Sequence, residues 1–151
     1  PIRGNIITRL QKLEQGFDAV VLAVAGLVRT QQQQKISHIF TLQEMVPAAC
    51  QGILALQIRE SDLFLKQAMQ KINNENAFVC QEAERAFLKQ IGADCHAPAG
   101  ALAKIENGKL YMKAMFYTDK ILQSEGYDSV ENAENLGKML AMEIQRKGNI
   151  I

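Results

Sequence analysis

Three arginines and one cysteine are the residues of this chain whose type and setting could do chemistry. Arg3 and Arg9 lie in the run Arg3-Gly4-Asn5-Ile6-Ile7-Thr8-Arg9-Leu10, on either side of Asn5, where a helix begins. A guanidinium matches a carboxylate bidentately, and a helix start presents unpaired backbone N–H groups, so the run reads as an anion site. Arg29 follows an apolar run and Gly26. Three cations from three element ends find a purpose together in an acidic ligand or an acidic partner surface. Taken singly, the simpler reading of each is a solvated or salt-bridged side chain.

Cys95 sits in Gly92-Ala93-Asp94-Cys95-His96-Ala97-Pro98-Ala99-Gly100, a loop of small residues. A thiolate there would be accessible and a strong nucleophile toward an electrophilic carbon, with Asp94 raising the thiol pKa by like-charge repulsion. An unreactive loop cysteine is the alternative, since neither His96 nor His38 forms a recognisable dyad with it. Cys80 is read as core. Two histidines and three dispersed cysteines give no CxxC or HxxxH spacing, so no metal site is expected. Phosphate loop, nucleophile elbow and basic-aromatic stripe are not signalled either.

The elements that must position these groups follow from periodicity. Asn5 caps a first helix with Ile6, Leu10, Leu13 and Phe17 on one side and Gly16 as its stop. The unalternating run from Ala19 to Ala25 predicts a parallel strand covered on both faces, which would leave Gly26 and Arg29 beyond its carboxyl end, where open α/β sheets bind ligands. Pro47 to Gly52 reads as a crossing loop and Ile53 to Ile58 as another buried strand. Ser61 is expected to cap a helix through Leu65, Ala68, Met69 and Ile72. The next helix carries Cys80, Ala83, Phe87 and Ile91 on one stripe, with Glu82, Arg85 and Lys89 off it. From Ala99 the period falls to two. Strands are predicted over 100–106, 109–117 and 120–126, the first pair joined by Asn107-Gly108, which favours a type I′ turn. A last helix runs from Asp128 and Glu131 through Leu136, Leu140 and Ile144 to Gly148.

With 151 residues and 48% hydrophobic content, the chain can bury a sizeable core without disulfides or metals. Its formal charge of +1, from 17 basic and 16 acidic residues, gives no field for capturing nucleic acid or an anionic membrane. The longest apolar run is far short of a membrane span. Three widely spaced cysteines, with no signal-type segment ahead of them, predict a reduced, cytoplasmic protein.

In order along the chain, five blocks resemble the hydroxymethylbilane synthase, or porphobilinogen deaminase, family. They are Arg3-Gly4-Asn5 with Thr8-Arg9-Leu10; Asp18-Ala19 to Gly26-Leu27 with Arg29; Leu42 to Gly52; Glu82-Ala83-Glu84-Arg85-Ala86-Phe87; and Cys95 with Pro98 and Gly100. The chain departs from the family pattern at Ala93-Asp94 and at Cys50, where glycines are usual.

The resemblance implies α/β plus α+β architecture. The C-terminal part of a second, periplasmic-binding-protein-like α/β domain would occupy residues 1–52. Residues 53–68 would be the strand and linker returning to an absent first domain. A small α+β domain over 69–151, with a three-stranded antiparallel sheet and helices on one face, would carry the cofactor cysteine. It further implies a transferase of tetrapyrrole (heme) biosynthesis that joins four porphobilinogen units, with loss of ammonia, on a dipyrromethane cofactor. Cys95 would hold that cofactor as a thioether, and Arg3, Arg9 and Arg29, with Gly26 beside the substrate, would receive acetate and propionate groups. The family's catalytic aspartate belongs to the first domain, so the expectation is a fragment, inactive alone, from a truncated, split or decayed gene, with a separate N-terminal half chain as one candidate partner. The alternative is a non-catalytic interaction module or the relic of a truncated gene.

Overall fold

The computed structural model of the chain describes residues 2–93 and 97–150. It divides into two compact units, one ending at Thr41 and one starting at Leu42.

The first unit is helical. Asn5 caps α1 (Ile6–Gln11), its Oδ1 accepting from the Thr8 N–H at 2.9 Å. A 3-10 turn over Lys12–Gln15 extends α1 to Gly16, whose φ of 93° ends it in the left-handed region that glycine adopts without strain. The strand expected over 19–25 does not form. Residues 19–23 carry no regular structure, and α2 (Val24–Arg29) takes the rest of the run. A parallel strand exists only through ladder bonds to a neighbour, and the described residues of this unit offer none. Leu10 and Leu27 are its buried hydrophobic side chains. The two helices meet where Gly26 faces Ile6, whose Cδ1 occupies the space a side chain at Gly26 would need.

The second unit holds the core. Asp62, rather than the expected Ser61, caps α3 (Leu63–Gln70) by accepting from the Leu65 N–H at 3.0 Å. Asn74 does the same for α4 (Glu75–Ile91) through Ala77 at 3.0 Å. Strands β1 (Ala99–Glu106), β2 (Lys109–Tyr117) and β3 (Ile121–Asp128) form one antiparallel sheet in the order β1-β2-β3. Asn107 and Gly108 both have positive φ, 51° and 76°, as a type I′ turn requires. The register pairs Ala101 with Ala114 and Ala114 with Ser124.

Helices α4 and α5 (Ala133–Gly148) cover one face of that sheet. Phe87, Leu110, Met112, Leu136, Leu140 and Ile144 are fully buried between the layers, each contributing about 1.5–3 kcal/mol of transfer free energy. The helices approach closely because Gly137 presents bare backbone to the Ala83 carbonyl. Gly148 does not stop α5. It is the last helical residue, with Leu122 packed against it, and Asn149 at φ 49° is the cap. The outer face of the sheet carries a polar network: buried Lys113 pairs with Glu125 at 3.0 Å, and the Tyr111 hydroxyl donates to Glu125 at 2.9 Å.

Residues 53–59, expected to include a buried strand, have no ladder partner and no regular structure. Leu54 is 88% exposed, and Phe64 on α3 is 78% exposed.

Candidate functional site

The three arginines expected to bind an anion all lie in the first unit. Gly4, at φ 116°, turns the chain into the Asn5 cap, and Arg9 in the last turn of α1 folds back so that its Nε donates to the Gly4 carbonyl at 2.8 Å. This bond brings the Arg9 guanidinium to the turn that Arg3 enters. Asn5 already occupies the Thr8 amide and hydroxyl, so the anion-binding capacity at this end rests on the guanidinium groups more than on helix amides. Arg3 and Arg29 are exposed and Arg9 is half-buried. Arg29 lies in the last turn of α2, one turn after Gly26. Gly26 thus sits inside a helix and packs on Ile6, rather than at the end of a strand. Planar donors held in this way suit carboxylate groups.

Cys95, with Asp94 and His96, lies outside the described residues. Gly92 closes α4 at φ 72°, and the Ala93 N–H donates to Leu88 at 3.0 Å. Beyond the segment, the Pro98 carbonyl accepts from Tyr117 at 3.0 Å as β1 begins.

The other two cysteines are held as thiols. Burial raises the pKa of both Cys50 and Cys80, and the neighbouring Glu84 carboxylate raises them further. Cys80 is half-buried on the α4 stripe and packs against the core. Cys50 takes the left-handed conformation, φ 61°, which favours glycine.

Glu84 is the residue that sequence reasoning missed. It is 3% exposed on α4 and accepts from two backbone donors, Cys50 N–H at 2.5 Å and Ala103 N–H at 2.7 Å. Burial pushes its pKa up, while those amides and the Cys50 thiol pull the other way. The signal was in the spacing: Glu84 follows Cys80 by four and precedes Phe87 by three, on the buried stripe itself.

No helix among the described residues is long and apolar enough to cross a membrane.

Residues 1–67 match the family described as porphobilinogen deaminase, dipyromethane cofactor binding domain, and residues 78–146 match porphobilinogen deaminase, C-terminal domain. Arg3, Arg9, Gly26 and Arg29 fall in the first match and Cys95 in the second. Among curated proteins, the chain is 37% identical over 150 residues to the porphobilinogen deaminase of Clostridium acetobutylicum, covering 95% of this chain and 50% of that protein. It is 34% identical to that of a Wolbachia species, over 97% of this chain and 50% of that protein. It is 38% identical to that of Clostridium novyi, over 93% and 49%. The chain thus spans about half the length of the curated relatives it matches.

Proposed function

The chain belongs to the porphobilinogen deaminase family, and from that premise we propose that it is the cofactor-holding portion of a hydroxymethylbilane synthase. Cys95 holds a dipyrromethane through a thioether, and Arg3, Arg9 and Arg29 receive the carboxylates of the pyrroles, with Gly26 beside the substrate. When bound, the cofactor supplies the free pyrrole end to which porphobilinogen units add with loss of ammonia. This chain's residues bind and orient. Guanidinium groups pair with acetate and propionate, and Arg9, braced on the Gly4 carbonyl, is the most constrained of the three. No carboxylate of this chain matches the role of positioned acid and base at the pyrrole nitrogen, so the chain alone does not turn over. That role falls to the portion of the relatives that this chain does not span.

The observation that carries this reading is that residues 1–67 and 78–146 match, in order along the chain, two domains of porphobilinogen deaminase. Its test is the intact mass of the purified chain after exposure to preformed hydroxymethylbilane, with peptide mapping. A tetrapyrrole-derived adduct on Cys95, absent from Cys95→Ala, is the expected result. An unmodified Cys95 sinks the assignment of the anchor, and formation of hydroxymethylbilane from porphobilinogen by the chain alone sinks the assignment of catalysis elsewhere.

A second reading, a module that engages another polypeptide, is favoured by a groove of about 600 Å³ between residues 52–58 and helices α3 and α4. Leu54, Leu56, Ile72 and Phe78 line it and are at least half exposed. A separate chain supplying the rest of the relatives' length would cover it, and co-purification with restored turnover is the measurement that joins the two readings.

A further inference from the structure

The outer edge of β1 is not left open. In an antiparallel ladder, alternate residues turn their N–H groups to opposite edges, and β1 has a strand partner on one side. On the other side, Ala101 donates to the Pro47 carbonyl at 2.9 Å and Ala103 to Glu84 Oε1 at 2.7 Å. A carbonyl and a carboxylate oxygen thus stand two residues apart, where a neighbouring strand would offer its own acceptors. The second oxygen of Glu84 takes the Cys50 N–H, so one side chain of α4 fastens both the strand and the segment lying along it.

Two further observations point the same way. At Gly100 a Cβ would lie 2.6 Å from the Val46 carbonyl oxygen and 3.0 Å from that of Pro47, so the segment seats on bare backbone. Val46 itself is 4% exposed. Glu84 suits its place because it accepts on both oxygens; a glutamine would set an NH₂ donor against one of the two amides.

We infer that Val46–Cys50 is a strap guarding the free edge of β1, and that Glu84 is its catch. With the strap closed, β1 behaves as a strand paired on both sides. With it lifted, the Ala101 and Ala103 amides form an open edge, the feature through which sheets join other chains. The strap stands apart from the cofactor reading and holds whether or not Cys95 is modified.

The test is amide hydrogen exchange on the full chain, read residue by residue, against Glu84→Gln. Whichever of Cys50 and Ala103 meets the NH₂ is expected to exchange about tenfold faster or more, while Leu102 and Lys104, whose amides turn toward β2, stay within about twofold. Unchanged protection at both Cys50 and Ala103, or equal acceleration along all of β1, overturns the inference. Should Glu84→Gln fail to fold, Gly100→Ala keeps the carboxylate and pushes on the strap instead. Faster exchange at Ala101 with Leu102 unchanged supports the strap, and an unchanged Ala101 overturns it.

Discussion

The two ends of the chain contain equally apolar segments and treat them differently. From α4 onward, strands and helices meet inside one unit, and Phe87, Met112, Leu136 and Ile144 disappear from solvent. At Val21, Leu54 and Leu56 the residues are as apolar, yet they stay exposed at 62%, 88% and 64%. The contrast lies in topology. An antiparallel hairpin brings its own partner two residues later, whereas a parallel strand depends on a distant segment to complete its ladder. Hydrophobicity states that a segment is to be buried; connectivity decides whether the same stretch of chain can bury it.

The sharpest way to break that comparison is to truncate a core side chain in each unit. Phe87→Ala is expected to cost about 3–5 kcal/mol in chemical denaturation, because its site is closed on all sides. Leu27→Ala, with Leu10 as the other buried hydrophobic residue of its unit, is expected to cost about half as much; equal losses would show two comparable cores. Gly137→Ala forces a methyl group onto the Ala83 carbonyl and is expected to cost about 1–3 kcal/mol in thermal unfolding. Removing a cap is smaller again: Asn74→Ala should lose about 1 kcal/mol, read as faster exchange in the first turn of α4.

The smallest effect is at high pH. Burial, aided by the bond to Glu125, raises the Tyr111 phenol to about 12 from 10.0. A pKa raised on folding contributes stability that is complete below the unfolded value and lost as pH climbs through the folded one. A shallow decline between about pH 10 and 12 is therefore expected, together with a late phenolate absorbance step. Tyr111→Phe should remove both; a late step that persists assigns it to another tyrosine.

What could be read from the residues divides along the same line. Asn107-Gly108, the period of two around it and the Cys80–Ile91 stripe are local signals, and the structure follows them. Ser61 and Gly148 were one residue off as caps, because Asp62 and Asn149 compete for the same roles within one step of chain. The strands expected over 19–25 and 53–58 do not form, because a ladder needs a partner that a local window of residues does not show. Glu84 was hidden for another reason. An acid on an apolar stripe looks like a break in the pattern until the two amides it serves, 34 and 19 residues away, are in place. Arginine type alone selects Arg3, Arg9 and Arg29 as candidates, whereas Gly26, expected at a strand end, lies in α2, and its contact with Ile6 belongs to a helix crossing.

The two-residue turn at Asn107-Gly108 also decides where this protein can change length. One residue added there would shift β1 against β2 by a single step and exchange the inward and outward faces of a whole strand. Asp119 sits at the tip of the other turn, exposed and outside both ladders. An epitope, a fluorophore site or a natural insertion is accommodated at that second turn, while the first has its length fixed by the register it sets.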